Sequence, residues 1–342
     1  MLYLRESTLW AQDFNTSRLE LAGEPRKIAE HVGSTRALGY FSSSQNALVH
    51  RNGAGDLGQL AWLNRNGERI GSVGRPFVWD SQPVLSADGS RLALSKFDGE
   101  HVNVWIHDLA RDLSQKITFD PALNASPIWS PDGTRIAFSS GRAGHYDLYQ
   151  IGAGGSGEKL LYASAEDKYA SCWSGDGRFL LYSAQHAIWA LPLEKTSAGS
   201  PIRLTSGKSN QNDAVLSPDS KWLAYASDES GTAEVYFQPF SISIPAGGPL
   251  DESKTLISRG GGTRPRWRAD GRELVYRAPD GMLMSVPTAP SVPLNPGVPK
   301  NLFRMTGSRW DLSSDGSRFL IGLPLDEATQ SFTTVLNWQG KK

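Results

Sequence analysis

Residues 126–151, SPIWSPDGTRIAFSSGRAGHYDLYQI, decide the fold. A short strand ends at Trp129, a tight turn follows at Pro131-Asp132-Gly133, a second strand runs through Ile136 and Phe138, and a third surrounds Leu148. Asp-Gly between apolar runs is a strong hairpin signal, because the turn needs positive φ and Gly supplies it without a clash. One such unit cannot bury its own apolar faces, so it must be repeated.

Aligned on Asp132, the pattern returns at Asp88, Asp176, Asp219, Asp270 and Asp315, with spacings of 44, 44, 43, 51 and 45 residues. Three residues before each Asp stand Leu85, Trp129, Trp173, Leu216, Trp267 and Leu312; four after it stand Leu92, Ile136, Leu180, Leu223, Leu274 and Phe319. A weaker copy, FSSSQNALVH (41–50), has Asn46 in the Asp place. Large side chains in register with a turn suit sheets stacked on their neighbours. Outer fourth strands are expected within 115–120, 158–164, 201–206, 253–258 and 300–305, so that each repeat is a four-stranded blade.

These counts predict an all-β chain forming a single β-propeller domain over residues 1–342, with seven blades, or six or eight depending on how residues 2–32 are used. Residues 1–32 are expected to form a partial blade or closing strand, and 33–342 the repeated blades. An open array would leave bare sheet edges, so one N-terminal strand within Pro25–Val32 is expected to complete the last unit, which also takes TTVLNW (333–338). The long spacing before Asp270 reflects an insertion at 241–253, rich in Pro and Gly. The tract 288–300 occupies the same place one blade later.

The chain of 342 residues carries 35 Lys plus Arg and 35 Asp plus Glu, so no net field draws it to nucleic acid or an anionic membrane. No apolar run approaches the ~20 residues of a membrane span. The N-terminus, MLYLRESTLW, has no apolar core of a signal peptide. The compartment stays open: as written the chain is expected in the cytoplasm, and in the periplasm or another extracytoplasmic space if it is part of a longer membrane-anchored protein. The single Cys172, beside Trp173 on a strand, reads as a small buried apolar residue. A monomer is expected.

Chemistry-bearing motifs reduce to structure. Gly152, Gly154 and Gly157 spell GxGxxG, but a strand follows where a dinucleotide site needs a helix, so the stretch reads as a hairpin. There is no Walker A sequence, GxSxG elbow or HExxH pair, and His101 and His107 read as exposed. No catalytic residue, metal ligand or cofactor is assigned. Asp88, Asp132, Gly133, Asp176, Gly177, Asp219, Asp270, Gly271 and Asp315 are turn residues, since every blade needs the turn and chemistry is needed once. Residues just ahead of the innermost strands should ring a central mouth: Trp79, Asp80, Asn124, Lys168, Tyr169, Asn212, Asp213, Arg264 and Arg309. Charges and amides with two aromatic anchors suit a protein or peptide partner. A small-ligand or glycan binder, or a hydrolase working in the channel, is the alternative.

The pattern PxWSPDGxxIAFxS…DLY resembles the repeat of the TolB family, found also in the propeller halves of prolyl oligopeptidase-like enzymes and tricorn protease. LYLRESTLWAQDFNTSRLELAGEP (2–25), GQLAWLNRNGERIGSVG (58–74), DESGTAEVYFQPF (228–240) and the closing TTVLNWQGKK are similar to the C-terminal propeller region of large bacterial serine/threonine protein kinases, notably the acidobacterial type. The resemblance implies a propeller with a sensing or docking role. The Gly-rich loop, HRD and DFG sequences of the kinase domain are absent from this chain, so kinase activity is not carried over.

Overall fold

The computed structural model describes residues 1–5, 8–30, 32, 41–44, 46–51, 57–78, 81–98, 100–193, 199–206, 209–240, 254–289, 296–324 and 332–338. Among them every regular element is a strand. The chain forms two compact units, one of Met1–Gly58, Pro76–Trp79 and Pro324–Lys342, the other of Gln59–Arg75 and Asp80–Leu323.

Among the described residues the larger unit carries six four-stranded sheets, here I to VI in the order of their Asp turns. Sheet II holds the stretch 126–151 and consists of Asn124–Trp129, Arg135–Ser140, Asp147–Gly152 and Lys159–Tyr162. Sheets I, III, IV and V repeat it from inner strands Val84–Leu85, Tyr169–Trp173, Gln211–Leu216 and Thr263–Trp267. The outer strands of sheets III, IV and V, Ile202–Arg203, Thr255–Leu256 and Lys300–Arg304, fall within the expected segments, whereas that of sheet I, Leu113–Lys116, begins ahead of the expected 115–120 and ends inside it. Gly152 and Gly157 lie in the hairpin between the third and fourth strands of sheet II, where the Gly152 amide donates to Ser156 O.

Sheet VI closes the ring and corrects the expected closure. It joins Trp310–Leu312 and Arg318–Pro324 to Leu57–Asn64 and Arg69–Val78, so two early strands, not one from Pro25–Val32, complete the last blade. The segment Glu20–Ala29 pairs instead with Thr8–Asn15, and Phe332–Leu336 pairs with Ala47–Arg51; both pairings belong to the smaller unit. The weak copy around Asn46 lies there too, in a three-stranded sheet, so the six strong copies supply the six sheets of the ring. The physical reason is that the last repeat runs out of its own third and fourth strands, and 57–78 is an amphipathic hairpin able to supply both. Leu60, Ala61, Trp62 and Leu63 are buried in it.

The core is a series of layers between sheets. In Arg135–Ser140 successive side chains face opposite neighbours, and both faces are covered, which is why RIAFSS reads apolar without alternation. Ile136 and Phe138 pack with Ala93, Val104 and Ile106 of sheet I, whereas Ala137 packs with Ala170, Trp173 and Leu180 of sheet III. Each fully buried large side chain contributes roughly 1.5–3 kcal/mol. In the smaller unit Leu9, Val32 and Leu48 form a separate core.

The six turns share one construction. Oδ1 of Asp132 accepts from the Ser130 hydroxyl at 2.5 Å and the Thr134 amide at 3.0 Å, while Gly133 sits at φ 65°. Ser86, Ser174, Ser217 and Ser313 do the same for Asp88, Asp176, Asp219 and Asp315. In sheet V Arg268 replaces the serine and grips Asp270 with Nε and Nη2. In sheet IV Ser220 takes the glycine place at φ 54°, and its hydroxyl accepts from the Gly175 amide of sheet III at 2.9 Å. Arginine three residues after the Asp of one sheet also stacks on the tryptophan of the next: Arg91 lies 4.5 Å from the Trp129 ring and Arg135 5.1 Å from Trp173.

Candidate functional site: the central channel of the ring

The inner strands of sheets I to VI surround a cavity of about 570 Å³, all within the larger unit. Four residues before each turn Asp, the column reads Val84, Ile128, Cys172, Val215, Arg266, Asp311. All six line the cavity. Four neighbouring sheets thus present an apolar wall, and sheets V and VI present a charged pair whose Arg266 Nε lies 3.3 Å from Asp311 Oδ1.

Asp311 is buried, and Oδ2 accepts from the Leu85 amide of sheet I at 2.8 Å while Oδ1 accepts from the Leu312 amide at 2.9 Å. Burial raises its pKa, and Arg266 and the two amides work against that rise. Burial pushes the Cys172 thiol up to about 12, so at neutral pH it is a protonated wall group rather than a nucleophile.

A bulge at the start of several inner strands aims side chains at one mouth. The register shifts between Ala125 and Ile128, Asn212 and Val215, and Thr263 and Arg266. Ser126, Asp213 and Arg264, six residues before their turns, have φ of 53°, 54° and 55°. The Arg264 amide donates to Asp213 Oδ2 at 3.1 Å, and its guanidinium donates to Ser308 O. Burial lowers the Arg264 pKa; Asp213 opposes this, while Arg266, Arg277 and Arg309 lower it further. The other end of the channel is rimmed by Ala87, Pro131, Gly175, Pro218, Ala269 and Ser314, small or apolar residues next to the turns.

Of the expected mouth residues, Tyr169, Asn212 and Asp213 line the channel. Tyr169 is 43% exposed, with its ring 5.2 Å from that of Tyr146. Arg264 and Arg309 stand at the starts of sheets V and VI. Asn124 and Lys168 are corrections. Asn124 is buried, with Nδ2 donating to Asp120 O and Ala122 O. Lys168 is 1% exposed, its ammonium 2.9 Å from Asp147 Oδ1 and donating to Ser164 O and Oγ. Both side chains turn inward to satisfy loop carbonyls instead of facing the mouth. Trp79 and Asp80 lie outside the described residues, as does the insertion 241–253. His107, read as exposed, is buried, with Nδ1 2.9 Å from Ser114 Oγ and Nε2 3.2 Å from Asp112 Oδ1. Arg266 and Asp311 were missed; the column four before the turn Asp carries the signal, since it changes there from apolar to charged.

A closed ring of four-stranded sheets around an axial channel defines a β-propeller. The family model described as TolB beta propeller domain matches residues 66–199. The Tol-Pal system protein TolB of Alcanivorax borkumensis is 24% identical over 143 residues, 41% of this chain and 33% of that protein. An uncharacterized peptidase, YuxL, of Bacillus subtilis is 26% identical over 207 residues, 58% of this chain and 29% of that protein. The matched stretches thus span a third or less of these curated relatives. Among solved structures, an Agrobacterium tumefaciens protein assigned as TolB superposes with a TM-score of 0.62 at 19% identity, covering 80% of this chain and 100% of the other. At that identity the likeness is one of fold.

Proposed function

We propose that this chain is a non-enzymatic interaction module whose channel and its mouth receive a segment of a protein or peptide partner. The observation that carries the reading is the channel wall itself: an apolar arc over four sheets beside a charged arc over two, with Tyr169 and Asn212 exposed at the same mouth. An extended segment needs such a wall, because its alternate side chains can be buried while its charges keep partners. The ionisable groups facing the channel have structural partners or the wrong protonation state for attack: Asp311 is held by Arg266 and two amides, and the Cys172 thiol is protonated. The TolB-type similarity supports a docking role, and residues 2–25 and 228–240 support placing the module beside a bacterial kinase as its sensing or docking part.

A photo-crosslinking amino acid at position 169 tests the reading, with one at the exposed Leu160 on the outer strand of sheet II as the reference. Position 169 is expected to capture a protein partner, and Arg264→Ala with Arg309→Ala to abolish that capture. Equal crosslinking from both positions, or a small-molecule ligand that raises Tm while capture is unaffected by the mouth variants, would defeat it. An in-frame kinase coding sequence upstream of Met1 tests the kinase association.

A further inference from the structure

We infer that the mouth formed by sheets V and VI is a carboxylate-binding site, so that the partner segment is acidic, with an apolar side chain next to the carboxylate; this rests on the peptide-binding reading above. Arg264 and Arg266 lie on the inner strand of sheet V, Arg277 pairs with Thr263 from the neighbouring strand, and Arg309 directly precedes the inner strand of sheet VI; burial, and after it the charges of Arg266, Arg277 and Arg309, lower the Arg264 pKa. The acidic groups on this arc are engaged. Asp213 accepts the Arg264 amide, and Asp311 accepts the Leu85 and Leu312 amides besides pairing with Arg266. Among the described residues the Arg277 side chain has no carboxylate partner, and its Nε is buried without an acceptor. A buried guanidinium N–H left unpaired is costly, and a carboxylate is the acceptor that matches its planar fork. Arg264 is held at φ 55°, a conformation unfavourable for a long side chain, and the bulge that imposes it keeps the arginine at this end of the strand. Across the channel Val84, Ile128, Cys172 and Val215 give an apolar surface within reach of a neighbouring side chain of the same segment. The site therefore selects a charge and a hydrophobe together.

Random dodecapeptides displayed on phage and selected over the immobilised full chain test this. Enriched sequences are expected to pair Asp or Glu with Leu, Ile, Val or Phe. Resynthesised peptides with Glu replaced by Gln should lose about tenfold in affinity, the loss of one charge-assisted contact. Arg277→Gln and Arg309→Gln should each bind the acidic peptides about tenfold more weakly, while Arg111→Gln on the exposed turn of sheet I should not differ from wild type. Thermal unfolding verifies that each variant is folded, and 0.5 M NaCl should weaken binding to the native protein even if a variant is not. Each peptide is also made as free acid and as amide: loss on amidation assigns the carboxylate to a chain terminus, and loss with Gln assigns it to a side chain. Enriched peptides indifferent to Gln, amidation and salt overturn the carboxylate site and leave the peptide channel standing. A selection that enriches nothing overturns both.

Discussion

The carboxylate of Asp311 accepts a hydrogen bond from the backbone amide of Leu85, 2.8 Å away in space and 226 residues away in sequence. This bond ties the last inner strand to the first, and Arg266 of sheet V reaches the same carboxylate. Asp311 therefore links three sheets where the ring closes, with the Trp310 amide donating to Gln82 Oε1 beside it. Asp311→Leu removes the acceptor and leaves Arg266 without its counter-charge, and is expected to cost about 3–5 kcal/mol in urea unfolding. Asp311→Asn keeps an acceptor and should cost about 1–3 kcal/mol. Unfolding midpoints equal to wild type in both variants would show that closure does not depend on this residue.

Arg91 joins sheets I and II twice, by stacking 4.5 Å from the Trp129 ring and by donating from Nη2 to Gly133 O at 2.8 Å. Arg91→Ala should lower stability by about 1–2 kcal/mol, the sum expected for an exposed cation–π contact and one hydrogen bond. Arg91→Lys retains the charge and should recover only part of this, because an ammonium cannot both stack and reach the carbonyl. Full recovery by lysine would reduce the link to charge alone.

Gly133→Val is expected to destabilise by about 1–3 kcal/mol, since φ of 65° disfavours a β-branched residue. The added Cβ would also come within 3.2 Å of Arg91 Nη2. Unchanged thermal unfolding would mean that the turn rearranges at no cost. Ser220 shows that the position tolerates another residue when its side chain makes a contact: its hydroxyl accepts the Gly175 amide.

Acid should weaken the ring through its turns. Hydrogen bonds from Ser86, Ser130, Arg268 and Ser313 hold Asp88, Asp132, Asp270 and Asp315 at about 2. A carboxyl depressed in the folded state adds stability that is complete above its unfolded pKa of roughly 3.9 and is lost as pH falls through the folded value. Tm should therefore fall between about pH 4 and pH 2. Because these groups are largely exposed, solvent screening keeps each contribution small, and the effect is collective. Replacing all four by Asn should flatten the profile in that window; an equally steep profile would place the acid sensitivity elsewhere.

The repeat was legible because the turn imposes its chemistry on the sequence in each blade: Asp for its acceptor, Gly for positive φ, and an apolar residue on either side at fixed offsets. Closure was less so. Residues 57–78 carry no Asp-Gly turn of the repeating kind, and their partner, Arg318–Pro324, is decided by which strands the last repeat lacks, a long-range matter. The mouth was read more coarsely: Tyr169, Asn212 and Arg264 lie on the inner strands themselves, and Tyr169 and Asn212 line the channel. Sequence places Tyr169, Asn212 and Arg264 ahead of inner strands, but it does not show that Arg264 adopts positive φ, since nothing in an arginine announces it. Nor does it distinguish a lysine pointing to solvent from one folded back onto its own loop.

Lys168 is the sharpest instance of that last difference. Its ammonium is buried against Asp147 at 2.9 Å and donates to Ser164 O, Ser164 Oγ and Glu166 O, so the four groups organise the loop that leads into sheet III. Lys168→Met leaves Asp147 buried with the Ser164 amide at 3.3 Å and the His145 ring at 3.5 Å but without its ammonium. The expected cost is about 3–5 kcal/mol, the range for breaking one partner out of a buried pair. Adding Asp147→Leu removes the stranded charge and should return part of that loss, whereas independent effects would simply add. A double-mutant cycle in urea measures the coupling directly. A coupling near zero, or a single variant as stable as wild type with weakened peptide binding, would return Lys168 to the mouth as a contact residue; a large coupling with unaltered binding per folded molecule fixes it as a support of the loop.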